Sequence, residues 1–399
     1  MSTNLSSNKR FLSDRAKGEN PADERRKLIE LANELGQIIN LGRGDPDLPT
    51  PRHIIKAAQE ALAEGATHYT AWAGLPGLRK AISKKLAEEN GISVNPDKEI
   101  IVTVGAQEAI FLAMMTLINP GDEVIVPEPR YTPYDSCIEI AGGKIVPVVA
   151  RAENNFEITA EDVAEVITPK SKMLLIISPN NPTGAVISRG NLVKIAELAE
   201  REDLVVISDE LYERLVFDGI QTTSVASLPR MFERTLTVNG FSKAYSMTGW
   251  RVGYLAGPGD IISPMLNLKY SVTICAPAVS QYAALAALEE SQDCVKETVA
   301  VYQERRQAAM RWLDRLGWKY VAPGGSFYIL PDVSKYEMKS FDLAVYLLKN
   351  ARVFTFPGTA FGKAGEGYLR LSLLVSTKEI NEAFERIEKA LDRISITNS

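Results

Sequence analysis

Seven short apolar runs constrain this chain more than any other feature of its sequence. They are Glu99–Val104, Glu123–Val126, Lys144–Val149, Met173–Ile177, Leu204–Ile207, Thr235–Val238 and Val252–Ala256, with helical patterns such as 106–118 and 191–201 between most of them. Near-continuous apolar strands separated by helices imply a mostly parallel sheet covered on both faces. The fold class is therefore α/β: a large domain with a mostly parallel seven-stranded sheet between helices, plus a smaller α+β domain. Residues 1–50 are read as an N-terminal arm and part of the small domain, 51–288 as the large domain and 289–399 as the C-terminal small domain. Met1–Pro21 has no periodicity and is expected to be a mobile arm. Ala22–Leu35 predicts a helix, with Leu28, Leu31 and Leu35 on one face and charges on the other. Near the C-terminus, Ser376 and Glu379 form a capping box that opens a helix carrying Ile380, Phe384, Ile387 and Leu391 on one stripe.

Open α/β sheets bind ligands beyond the carboxyl ends of their strands, and four such ends carry candidate residues. After Val104, Gly105-Ala106-Gln107-Glu108 opens a helix whose free N–H groups suit a phosphate. After Ile177, the segment Ser178–Gly184 has two prolines and a glycine, a rigid turn from which Asn181 can direct its amide at a ligand oxygen. After Ile207 comes Asp209, an expensive charge at a buried edge unless it is paired. After Val238, Asn239-Gly240 reads as a turn, and Ser242, Lys243 and Arg251 follow. An amine there, beside a hydroxyl and a guanidinium, suits covalent capture of a phosphorylated aldehyde as a Schiff base. Such an amine must be uncharged to attack, so Arg251 or partial burial is expected to lower its pKa.

Composition removes several other classes. A net charge of −5 over 399 residues argues against nucleic acid or an anionic membrane as partner. Cys137, Cys275 and Cys294 are odd in number and far apart, giving neither a disulfide framework nor a zinc spacing, and this points to a reducing cytoplasm. With two histidines, His53 and His68, no metal site is expected. No run of about 18 apolar residues is present, so no membrane span is expected. Gly358–Ala364 is one residue short of a P-loop and lacks the hydroxyl after its lysine.

Taken together, Gly44-Asp45-Pro46-Asp47, Tyr69-Thr70 with Gly74, Asn181-Pro182-Thr183-Gly184, Ser208-Asp209-Glu210-Leu211-Tyr212, Ser242-Lys243 with Gly249-Trp250-Arg251, Pro357-Gly358 and Arg370-Leu371-Ser372 resemble the fold-type-I, pyridoxal-phosphate-dependent aminotransferases of the class I/II group. The resemblance runs from about Ile39 to the C-terminal helix. It implies pyridoxal 5'-phosphate as cofactor, amino acids and 2-oxo acids as substrates, and a homodimer with shared active sites. It implies that Lys243 forms the Schiff base and shuttles the substrate proton, that Asp209 keeps the pyridine nitrogen protonated, and that Tyr212 and Asn181 hold the phenolic oxygen. Tyr131 is implied to stack on the ring, and Ala106, Gln107, Ser242 and Arg251 to hold the phosphate, with Tyr69 reaching the phosphate of a neighbouring subunit. Arg370, helped by Asn181 and the Gly44 backbone, is implied to bind the substrate α-carboxylate. Two departures matter: Gly240 stands where many relatives have serine, and Gln107 where some acidic-substrate enzymes have lysine, which weakens the case for aspartate as the preferred donor and leaves room for aromatic or other neutral side chains. The alternatives on the same fold are a β- or γ-lyase and a non-catalytic regulator, although a regulator needs a DNA-binding module for which the N-terminus has no room.

Overall fold

The computed structural model describes residues 11–13 and 23–397. Most of the arm expected over Met1–Pro21 lies outside the described residues, as does Ala22, and the first long helix is Asp23–Leu35. The strands are β1 (Ile39–Asn40), β2 (Ile100–Thr103), β3 (Glu123–Glu128), β4 (Lys144–Val149), β5 (Ser171–Ile177), β6 (Val205–Asp209), β7 (Thr235–Gly240), β8 (Gly253–Ala256), β9 (Tyr328–Ile329), β10 (Val353–Phe354), β11 (Phe356–Pro357) and β12 (Leu369–Ser372).

Strands β2 to β8 form one sheet in the order β2-β8-β7-β6-β5-β3-β4. All seven apolar runs are in it, and the sheet is covered on both faces. In β5, Met173, Leu175 and Ile177 pack in one buried cluster with Val124, Ile207 and Leu236, while Leu174 and Ile176 pack on the other side with Ile125 and Val206. That is the period-two alternation of a strand with two dry faces. Strand β8 runs antiparallel to both its neighbours, β7 and β2. A parallel return needs a crossover, usually through a long helix, and the segment between β7 and β8 has only the three-residue 3-10 helix Thr248–Trp250. Two reversals restore β2 to the direction of β7, so the carboxyl ends of β2, β5, β6 and β7 lie along one edge.

The structure corrects one local reading. Asn239 and Gly240 are not the turn but the end of β7, paired with Tyr254 and Gly253 of β8. The antiparallel neighbour supplies partners to two residues whose types favour a turn.

Two smaller sheets, β1-β10 and β11-β12-β9, lie in a separate core with the helices Asp23–Leu35, Asp293–Leu316, Ser340–Asn350 and Thr377–Thr397. The capping box is formed: Ser376 Oγ accepts from Glu379 N at 3.2 Å, and Ser376 N donates to Glu379 Oε2 at 2.9 Å. Arg305 on the 293–316 helix donates to both Asp47 oxygens at 2.8 Å, which ties the loop after β1 to this core.

Candidate active site

The edge where the four strand ends meet faces β9, β11 and β12, and a cleft of about 300 Å³ lies between them. It is lined by Ala106, Gln107, Tyr131, Asn181, Asp209, Tyr212, Ser242, Lys243, Arg251, Gly44 and Arg370. Of the residues given a cofactor or substrate role from sequence, Tyr69 is the one not brought to this cleft; it is 79% exposed.

Lys243 lies in the loop after β7, and its Nζ donates to Gly44 O at 2.8 Å. Burial lowers its pKa to about 8; Asp45 and Asp209 pull it up, while Arg370 and Arg251 push it down. Burial is thus a larger cause than Arg251, the charge named from sequence.

Asp209 ends β6 and is buried. Its Oδ2 accepts from the Tyr134 hydroxyl at 2.5 Å and its Oδ1 from Leu211 N at 3.1 Å. Burial still holds its carboxyl above the usual range, because neither donor is a cation. Tyr134, unassigned from sequence, sits edge-on to Tyr131 with ring centroids 5.5 Å apart. In the same segment Arg130 donates to both Asp135 oxygens at 2.7 and 2.8 Å.

Where β2 gives way to the helix Gly105–Leu117, the backbone is drawn tight against β8. A Cβ on Gly253 would meet Ala106 N at 2.8 Å, and one on Gly105, at φ +72°, would meet Arg251 Nη2 at 2.6 Å. Arg251 donates only to the carbonyls of Thr248 and Val104, at 3.1 and 3.4 Å, and has no carboxylate partner among the described residues. Free helix N–H groups, the Ser242 hydroxyl and an unpaired guanidinium make a cradle suited to a phosphate.

Arg370, in β12, is buried and donates to Gly42 O at 2.6 Å and Asn181 Oδ1 at 3.1 Å, while its Nε has no partner. Tyr328, Phe361 and Phe356 surround its guanidinium at 4.2, 4.5 and 5.2 Å from their centroids. Burial lowers its pKa, and no carboxylate among the described residues offsets this. Asn181 Oδ1 is occupied by Arg370, so Nδ2 is the atom left to face a ligand. Tyr212 is buried edge-on against Phe327, and burial pushes its hydroxyl well up. Gln107 directs its amide at Cys137 Sγ, 3.3 Å away.

Sequence reasoning missed Tyr134, Thr248, Tyr328, Phe356 and Arg25, all of which line the cleft. Arg25 precedes Leu28 by three residues and so lies on the buried face of its helix, the one sequence signal that marks it.

The donor set fits a phosphorylated pyridine aldehyde: an amine of lowered pKa, a buried acid without a cation, and anion sites at Arg251 and Arg370. The sequence profile of the family described as aminotransferase class I and II matches residues 36–387. The chain is 41% identical to aromatic-amino-acid aminotransferase 2 of Thermococcus litoralis over 95% of its own length and 98% of the relative's. It is 42% identical to an aspartate aminotransferase of Pyrococcus abyssi, covering 97% of this chain and 100% of that one. Among solved structures, the aspartate aminotransferase of Thermus thermophilus with maleate superposes with a TM-score of 0.89 at 38% identity, over 95% of this chain and 99% of that one. With that geometry and these likenesses, the chain belongs to the class I and II aminotransferases, fold-type-I, pyridoxal-phosphate-dependent enzymes that move an amino group between an amino acid and a 2-oxo acid.

Proposed function

We propose that this cleft holds pyridoxal 5'-phosphate and moves the amino group of an aromatic, neutral or aspartate-like L-amino acid to an acceptor such as 2-oxoglutarate, in a ping-pong cycle. The observation that carries the reading is one cleft in which Lys243, Asp209, Arg251 and Arg370 converge, the two arginines without carboxylate partners among the described residues. The names of the relatives, aspartate and aromatic, support both donor classes. Residues 51–288 are assigned to the cofactor, and 289–399 with part of 1–50 to the substrate carboxylate.

Bound there, pyridoxal phosphate supplies an aldehyde carbon that receives the amino group and a ring that withdraws electrons. The protein's own groups do the rest. The Ala106 and Gln107 N–H groups, Ser242 and Arg251 would hold the phosphate. Asp209 would accept from the ring N–H, a cationic donor that offsets the burial now holding its carboxyl high. Tyr131 would cover a ring face, while Tyr212 and Asn181 Nδ2 would donate to the phenolic oxygen. Arg370 grips the substrate α-carboxylate through its planar fork, with Gly42 and Asn181 fixing the fork's plane and the loop of Gly44 closing beside it. With a pKa near 8, Lys243 Nζ is neutral in about a tenth of molecules at pH 7, against roughly one in 2,500 for a free lysine. That nitrogen accepts the proton leaving the substrate α-carbon and afterwards returns it.

The working unit is proposed to be a cytoplasmic homodimer with shared sites. Tyr69, Trp72, Tyr270 and Val272 expose 79, 48, 49 and 55% of their surface, and Trp72 and Tyr270 are in ring contact. Such an apolar surface suits a second copy. The three cysteines are free, which suits a reducing compartment. The test is a panel of amino acids with 2-oxoglutarate, scored for glutamate; ammonia without glutamate rejects the reading.

A further inference from the structure

The cleft wall carries a third guanidinium, which the proposed function leaves unused. Arg25 reaches it from the helix Asp23–Leu35 and donates Nη2 to Ala360 O at 2.8 Å, while its buried Nε has no partner. It has no carboxylate partner among the described residues; Asp135, a carboxylate whose charge raises its pKa, is taken by Arg130. Arg25 and Arg370 lie 4.7 and 4.5 Å from the same Phe361 ring centroid, so the two cations are held less than about 10 Å apart. Both also flank Phe356, at 5.6 and 5.2 Å.

We propose that Arg25 determines specificity by binding the second carboxylate of dicarboxylic substrates, of the glutamate and 2-oxoglutarate class, while Arg370 holds the first. The assignment rests on the function proposed above. Two like charges in an aromatic enclosure repel, and burial, followed by Arg370, lowers the Arg25 pKa to about 10. A ligand with one anion relieves half of that arrangement, and a ligand with two relieves all of it. Gln107, where some relatives place a cation, is neutral and turned to Cys137, so the charge comes from a different element of the fold. The same surroundings also admit aromatic donors, whose rings can lie against the Arg25 guanidinium in place of a carboxylate. One arginine thereby serves both substrate classes.

The rival role for Arg25 is a latch that holds its helix to the 357–362 turn through Ala360 O, and a latch affects every substrate alike. The experiment uses the holoenzyme and its Arg25→Met and Arg25→Lys variants. Calorimetry measures binding of glutarate, which has two carboxylates and no amine to react, against pentanoate, which has one. Turnover is read as the ratio of kcat/KM for glutamate to that for phenylalanine. The expected result is that Arg25→Met weakens glutarate about tenfold or more relative to pentanoate and lowers the ratio by a similar factor, and that Arg25→Lys recovers part of both. Equal weakening of glutarate and pentanoate, or a ratio unchanged within about twofold, overturns the assignment. A wild type that transaminates nothing sinks the functional reading instead, and glutarate binding still decides the role of Arg25.

Discussion

Replacing Arg370 by methionine should separate binding from stability in an unusual way. Arg370 is a buried cation with no carboxylate among the described residues, two backbone or amide acceptors, and one idle nitrogen. A substrate carboxylate gains two charge-assisted hydrogen bonds from it, each about 1.5–3 kcal/mol. Discounting for a residual water in the variant, the loss is about 3–4 kcal/mol, or roughly 150- to 700-fold in kcat/KM. That loss should be similar for glutamate, aspartate and phenylalanine, since all share the α-carboxylate. Stability balances differently. Removing an unpaired buried charge is favourable by a few kcal/mol, while stranding Gly42 O costs about 1–3 kcal/mol and three cation–aromatic contacts are lost. The terms nearly cancel, so the melting temperature of the apoprotein should move by no more than a few degrees. Steady-state kinetics on three donors plus a thermal melt provide the assay. A large drop in melting temperature, or a loss confined to one donor, would show that Arg370 is held for stability or reads a side chain instead.

Three further outcomes are expected. Tyr134→Phe removes the 2.5 Å donor to Asp209 and raises that carboxyl further, so cofactor retention should weaken about tenfold, measured by dialysis against the wild type. Capture of the cofactor aldehyde by apoenzyme should quicken about tenfold per pH unit up to about 8 and then level off, because only neutral Lys243 attacks; a rate flat from pH 6 to 8 would contradict the lowered pKa. Behind the site, burial and then the charge of Glu213 raise Glu210 to about 7 from 4.5, whereas burial of Glu213 is outweighed by Lys85 and Asn90, which hold it low. The folded state thus keeps a proton on Glu210 that the unfolded chain sheds near 4.5, so this group's contribution is full below pH 4.5 and is lost as pH rises through 7. Glu210→Gln should therefore flatten the fall in melting temperature between pH 5 and 8, and an unchanged slope would show that Glu210 is already ionised at pH 5.

The parts legible in the sequence were those with a repeating physical signal. A strand dry on both faces must be apolar throughout, and that exposed β2 to β8 as runs. Residues just past those runs, Asn181, Asp209 and Lys243, could then be placed at one edge. The two-residue strands β1, β9, β10 and β11 are too short to carry a pattern. The reversal of β8 also left no trace, since buried strands look alike in either direction, and the same reversal extended β7 through Asn239 and Gly240. Tyr134 looked like any aromatic at the start of a helix until Asp209 came within reach of its hydroxyl. Arg25 was hidden by its type, because arginines near a helix start are solvated far more often than they line a cleft.

The claim on which the account depends is that the Lys243 amine is the covalent anchor of the cofactor. Borohydride reduction of the holoenzyme, followed by peptide mass spectrometry, tests it most directly. The phosphopyridoxyl group is expected on the peptide containing Lys243, and none on that peptide's Lys243→Ala counterpart. Label on another lysine, such as the buried Lys269, or a cofactor that dialyses away after reduction, would contradict it.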